Sequence, residues 1–169
     1  MNAPILDLST CARMVESWRQ QGLTIVFTNG HFDLLHAGHA HYLQAARSLG
    51  DRLVVGLNSD ASARRRKGPT RPILPEEERA LLLAALRAVD AVLVWDEDDF
   101  RNVVKALRPD IYVKGADWNQ PDAPQPPEAA IVEHLGGRIA FVEMVTGRST
   151  SAIVQDILER HGCKPEDAS

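Results

Sequence analysis

The stretch Leu23-Thr24-Ile25-Val26-Phe27-Thr28 runs directly into Asn29-Gly30-His31-Phe32-Asp33-Leu34-Leu35-His36-Ala37-Gly38-His39. The first six residues are rich in apolar β-branched side chains and read as a buried strand. In an open α/β sheet, ligands bind at the carboxyl ends of strands, so the loop that follows is where a site is expected. Four of the six histidines, His31, His36, His39 and His41, fall there within eleven residues. If a helix begins near His36 and His39, their spacing of three projects both imidazoles from one face of its first turn. A helix N-terminus favours anions, and Gly38 lets a ligand approach the backbone closely. Such a place suits displacement at phosphorus, where catalysis is mostly positioning and electrostatic stabilisation. Two other readings stay open on these residues alone. The histidines can be surface or satisfied core groups, or they can form a zinc site completed by Asp33, although the spacing and the lack of a nearby cysteine weigh against zinc.

Outward from this loop, short apolar segments alternate with amphipathic ones. Helices are expected at Thr10 to Gln21, capped by Thr10 or Ser9, and around Tyr42, Ala45, Ala46 and Leu49, stopped by Gly50. Further helices are expected at Glu76 to Ala88, Phe100 to Leu107, Glu128 to Leu135 and Ser151 to His161. Strands are expected at Leu53 to Leu57, Ala91 to Trp95, Ile111 to Lys114 and Arg138 to Val142. Alternating strands and helices imply βαβ units, a parallel sheet of five strands, right-handed connections and helices on both faces. The segment from Asn119 to Pro127 holds four prolines and reads as a loop, either a lid or an inert connector. There is no internal repeat, and residues 164–169 are expected to fray.

At 169 residues and 44% apolar, the chain carries one domain's worth of core. Its 19 basic and 23 acidic side chains give a net charge of −4, against a general nucleic-acid binder. No apolar run approaches the roughly 20 residues of a spanning helix, and no secretory leader is visible at the N-terminus. Cys11 and Cys163 make no disulfide framework or metal spacing, so a reducing cytoplasm is expected. The phosphate-binding loop G-x-x-x-x-G-K-[ST] is absent, and so is G-x-G-x-x-G, which removes the main support for a dinucleotide-dependent oxidoreductase.

The run Thr28-Asn29-Gly30-x-Phe32-Asp33-x-x-His36-x-Gly38-His39 resembles the signature of the cytidylyltransferase-like nucleotidyltransferases, which share HxGH with class I aminoacyl-tRNA synthetases. Four more segments resemble that family in order: Gly56 to Asp60, Arg64 to Pro72, Val113-Lys114-Gly115-x-Asp117, and Gly147-x-Ser149-Thr150-Ser151. Together they cover about Leu23 to Leu158. Within the family, GLNSD, KGPTRPI and VKGxD most resemble the adenylyltransferases of D-glycero-β-D-manno-heptose 1-phosphate. That unit is often fused to a sugar kinase, and at this length it is expected to stand alone, as a single domain over residues 1–163. The resemblance implies a Rossmann-like, doubly wound sheet of strand order 3-2-1-4-5. It implies the reaction of ATP with heptose 1-phosphate to ADP-heptose and pyrophosphate, feeding lipopolysaccharide or another surface glycan. Mg²⁺ would be bound mainly through the nucleotide phosphates, with no protein side-chain metal site, and a homodimer is suggested.

By the same resemblance, His36 and His39 contact the triphosphate and Lys67 reaches the phosphates. Thr28, Asn29, Gly30, Phe32 and Gly38 line the nucleotide pocket, although Phe32 reads equally as core. Lys114, Gly115 and Asp117 are nucleotide and ribose candidates, with Trp118 as either a contact or a surface aromatic. Ser149 and Thr150 cap the last helix and also suit β- and γ-phosphate oxygens. Asp33, Arg71 and Arg79 are candidates near the substrate phosphate, Arg79 reading equally as a partner of Glu76. Arg64, Arg65 and Arg66 read as a solvated face. Two positions depart from the heptose pattern: His31 stands where cysteine is common, and Ala116-Asp117-Trp118 where Gly-Asp-Tyr is usual. The second resembles the Asp-Asp-Trp of glycerol-3-phosphate cytidylyltransferases, which are the rival enzyme reading. A non-catalytic nucleotide-binding regulator is the rival outside enzymes.

Overall fold

The computed structural model describes residues 2–119, 124–143, 147 and 149–162. Six strands form one sheet: β1 (Ile5–Leu6), β2 (Ile25–Gly30), β3 (Arg52–Asn58), β4 (Ala91–Trp95), β5 (Ile111–Gly115) and β6 (Arg138–Val142). Every pairing is parallel and the order is β1-β4-β3-β2-β5-β6. The expected five-stranded sheet of order 3-2-1-4-5 is therefore corrected to six strands. The added strand has only two residues, too few for any periodicity, and exists because Ile5 and Leu6 pair with Val92 and Leu93 at the sheet edge. From β2 the chain steps outward to β3 and β4, then crosses back to β5 and β6 on the other side. The topological switch point lies between β2 and β5, where Thr28 pairs with Val113.

The helices are α1 (Leu8–Gln20), α2 (Ala37–Arg47), α3 (Asp60–Lys67), α4 (Glu76–Ala84), α5 (Arg101–Leu107), α6 (Ala129–His134) and α7 (Thr150–His161), with a 3₁₀ turn at Ala116–Asn119. Helix α1 is capped by Asp7, whose carboxylate accepts from the Thr10 amide at 2.9 Å, rather than by Ser9 or Thr10. Helix α3 was not expected, because DASARRRK has no apolar stripe. It is set by its Ser59 cap, whose hydroxyl accepts from the Ser62 amide at 3.0 Å. Helix α4 stops at Ala84, short of the expected Ala88.

Alternation along the strands divides the core into two layers. Val26, Leu53, Val55, Leu57, Val92 and Val113 pack under α2 and α4. Ile25, Phe27, Val54, Leu93 and Tyr112 pack under α1, α5 and α6. On that second face Gly56 passes beneath Phe100 so closely that a Cβ would lie 2.5 Å from the ring, which only glycine permits. Cys163, the tail at 164–169 and residues 120–123 of the proline segment lie outside the described residues.

Candidate active site

The loops after β2 and β5 meet at the switch point and enclose a cleft of about 300 Å³. Asn29, His31, Lys67, Lys114, Asp117 and Trp118 are among its walls. A smaller hollow of about 170 Å³ adjoins it and adds Phe32, His39 and Gly115. A third cavity, about 370 Å³, lies between His31, Asp33, Lys67, Arg71 and the start of α7 at Ser149 and Thr150. His31 borders all three spaces, and Lys67 borders the first and the third.

Helix α2 begins directly after His36, whose carbonyl accepts from the His39 and Ala40 amides, and no side chain caps this end. The two motif imidazoles stack with centroids 3.9 Å apart and planes 24° from parallel. Phe32 leans on His39 at 5.2 Å. It is 6% exposed, so it belongs both to the core and to the wall of the hollow. Burial, reinforced by the neighbouring His36, pushes His39 down to about 4. His31 is likewise pushed down to about 4, first by burial and then by the charges of Lys67, Arg66 and Arg79. Both rings are therefore neutral near pH 7 and present N–H donors beside a helix N-terminus. Neutral imidazole donors beside a helix N-terminus are chemically able to hold phosphate oxygens.

Lys114 is buried, and burial lowers its ammonium to about 8 while Glu128 opposes the shift. Its Nζ donates to Asn29 Oδ1 at 2.9 Å and lies 5.2 Å from the centre of the Trp118 ring. Trp118 is thus part of the cleft wall rather than a surface aromatic. Gly30 sits beneath the Phe32 ring, where a Cβ would come within 3.1 Å. Gly38 is buried in the first turn of α2. Lys67 ends α3 exposed to the cleft. At the head of α7, the Ser149 hydroxyl accepts from the Ala152 amide at 3.0 Å, so the cap is present.

Several expected residues sit elsewhere. Thr28 is fully buried, its hydroxyl shared with Tyr42 at 2.7 Å and the Val113 carbonyl at 3.0 Å, and it borders none of these three cavities. Asp33 borders the third cavity but is engaged within the protein. Its carboxylate pairs with Arg71 at 2.6 Å and accepts the Ile73 amide at 2.6 Å, fixing the segment after α3. Arg71 nevertheless borders the third cavity. Arg79 is corrected outright, being 0% exposed. It is consumed by the carbonyls of Leu74, His31 and Asn58 and by an ion pair to Asp60 at 2.6 Å, not to Glu76. A guanidinium in that position carries loop geometry, not ligand. His41 is exposed on α2, away from the other three loop histidines. Arg65 and Arg66 are tied to the loop after β4, through the Asp98 carboxylate and the Asp98 carbonyl respectively. Arg66 lines the cleft, so the basic run is not simply a solvated face.

Sequence reasoning missed Tyr112 and Glu128. Glu128 is 2% exposed. One of its oxygens accepts from the Phe100 amide at 2.8 Å and the other lies 2.9 Å from the Tyr112 hydroxyl. That hydroxyl is also 2.7 Å from Asn29 Oδ1. Neither residue belongs to a motif, and a lone acid after a proline run carries no signal of burial.

The cytidylyltransferase-like family model matches residues 27–163. The bifunctional protein HldE of Syntrophotalea carbinolica is 52% identical over 152 residues, covering 88% of this chain and 30% of that protein. HldE of Geobacter sulfurreducens is 49% identical over 161 residues, covering 95% and 32%. The chain thus spans about a third of the length of these relatives. Among solved structures, the lipopolysaccharide core biosynthesis protein from Thermoplasma volcanium GSS1 superposes with a TM-score of 0.59 at 33% identity, covering 73% of this chain and 98% of that one. Pantoate-beta-alanine ligase from Francisella tularensis, solved with Beta-gamma ATP and Beta-alanine, gives a TM-score of 0.58 at 15% identity, covering 88% of this chain and 69% of that one, a likeness of fold alone.

Proposed function

Because the chain belongs to the cytidylyltransferase-like family of nucleotidyltransferases, we propose that it transfers an adenylyl group from ATP to D-glycero-β-D-manno-heptose 1-phosphate, giving ADP-heptose and pyrophosphate. The observation that carries this reading is the stacked His36–His39 pair at the head of α2, with His39 lining the hollow that adjoins the cleft bordered by Lys67. The heptose assignment rests on the KGPTRPI and VKGxD segments and on the HldE relatives. Among the described residues no helix is long and apolar enough to cross a membrane.

A phosphate oxygen of the sugar phosphate attacks the α-phosphorus of ATP. That P–O bond forms as the bond to the β-phosphate bridging oxygen breaks, and pyrophosphate leaves. The attacking phosphate is already ionised near neutral pH, so no general base is required. His36 and His39 hold the oxygens on which charge develops, from fixed positions and without reorganisation. Lys67 meets the departing pyrophosphate, and the amides at Ser149 and Thr150 hold its far end. The substrate would be the Mg²⁺ complex of ATP, whose ion would offset phosphate charge. Asp98 and Asp117 offer oxygen donors of the right kind at the cleft, and no group of three His, Cys, Asp or Glu side chains converges on a metal among the described residues.

One observation favours a second reading. Trp118 in the cleft wall matches the aromatic of glycerol-3-phosphate cytidylyltransferases. Pyrophosphate release decides between them, with ATP, CTP and GTP each paired with heptose 1-phosphate and with glycerol 3-phosphate. Turnover confined to ATP with heptose 1-phosphate is expected. Turnover with CTP would transfer the assignment to the second reading. Nucleotide binding without turnover in any pair would leave a regulator.

A further inference from the structure

A buried carboxylate needs partners, and Glu128 has more than a cap requires. One oxygen satisfies the Phe100 amide, where α5 starts. The other reaches Tyr112, whose hydroxyl continues to Asn29. The oxygen of Asn29 also takes the Lys114 ammonium. Asn29 and Lys114 line both the cleft and the adjoining hollow. If Tyr112 served packing alone, phenylalanine would do, since its ring already stacks on Phe27 at 5.8 Å. Burying a hydroxyl and a carboxylate there is costly unless their hydrogen bonds are used.

We propose that Tyr112 is a positioning residue whose hydroxyl, its ring stacked on Phe27 beside Glu128, fixes Asn29 and Lys114 as the polar wall that receives the substrates. When the phenol proton goes to Asn29, the Asn29 oxygen is held by two donors and its NH₂ group is left to offer, while the Lys114 ammonium stays between that oxygen and the Trp118 ring 5.2 Å away. The inference rests on the reading of this cleft as the nucleotide and acceptor site. The phenol carries one proton between two acceptors, Asn29 Oδ1 and Glu128 Oε2. A glutamine at 128 would relieve that competition. Its amide NH₂ donates to the phenol oxygen and its carbonyl still accepts from Phe100, so the phenol proton goes to Asn29.

Three variants test this: Tyr112→Phe, Glu128→Ala and Glu128→Gln. The readouts are steady-state pyrophosphate release, thermal melting, and the acetylation rate of Lys114 by acetic anhydride, followed by peptide mass spectrometry without any ligand. Tyr112→Phe should raise substrate KM roughly tenfold, the scale of one lost hydrogen bond, and should lower Tm, because the buried Glu128 Oε2 loses its donor. Lys114, whose partner Asn29 is then no longer anchored, should be acetylated about threefold faster or more near neutral pH. Glu128→Ala leaves Asn29 as the phenol's remaining acceptor, so the Lys114 rate should rise less than in Tyr112→Phe while Tm falls with the unpaired Phe100 amide, and Glu128→Gln should keep both nearer the unaltered protein. A Lys114 rate raised as much in Glu128→Gln as in Tyr112→Phe overturns the inference. An unchanged Lys114 rate in Tyr112→Phe overturns the inference whatever turnover does, and so does a shifted rate with unchanged KM. If the unaltered protein turns over no substrate pair while the Lys114 rate still shifts, the function reading fails and the positioning role stands.

Discussion

The imidazoles of His36 and His39 lie face to face, 3.9 Å between centroids, at the uncapped head of α2. Neighbouring rings at that distance resist double protonation, and burial keeps His39 neutral. Their contribution is then a pair of fixed donors. His39→Ala should lower kcat by about 10²- to 10³-fold, the scale of one lost oxyanion-type donor. Its melting temperature should change little. Pyrophosphate release and a thermal melt check both, and a variant keeping most of its kcat would remove this histidine from the mechanism.

Stability should fall in mild acid. His31 and His39 titrate at about 4 in the folded protein, below the ordinary histidine value of 6.5. Between those values the unfolded chain binds more protons, so their contribution is present above 6.5 and is lost as pH falls toward 4. The slope is on the order of 1 kcal/mol per pH unit for each ring. Urea unfolding at several pH values measures it. The double variant His31→Asn, His39→Asn should flatten the curve, and an equally steep curve in that variant would place the acid sensitivity elsewhere.

Arg79 and Asp33 should act through folding. Each is buried and bonded to the protein's own groups. Arg79→Met and Asp33→Ala should each cost roughly 3–5 kcal/mol, because a buried charge loses its partner. Chemical denaturation reads this directly. A large rise in ATP KM without loss of stability would instead return Arg79 to the ligand.

Ser149 should show two effects. Loss of its cap in Ser149→Ala removes about 1 kcal/mol of stability. A phosphate held at the same helix end adds a several-fold rise in ATP KM, read from steady-state kinetics. A drop in stability alone would reduce Ser149 to its capping bond with Ala152.

Much of this protein was legible along the chain. The strand from Leu23, the histidine loop after it and the alternation of short apolar with amphipathic segments are local patterns, and local patterns fix element type. The spacing of His36 and His39 placed both rings at one helix end, because helical geometry depends only on sequence separation. Strand β1 and helix α3 escaped because one is too short and the other too polar to carry a period. Their existence depends on an edge strand to pair with and on the Ser59 cap. The assignment of charges also lay beyond the sequence. Arg71 and Arg79 are the same residue type eight positions apart, yet one borders a cavity and the other is consumed by carbonyls and Asp60. The Glu128–Tyr112–Asn29–Lys114 chain joins residues separated by 16, 83 and 85 positions. Composition and period determined that there is a sheet with a histidine-rich loop at the end of a strand. Only tertiary packing decided which polar groups were left for a ligand, because hydrogen-bond partners are chosen by proximity in space.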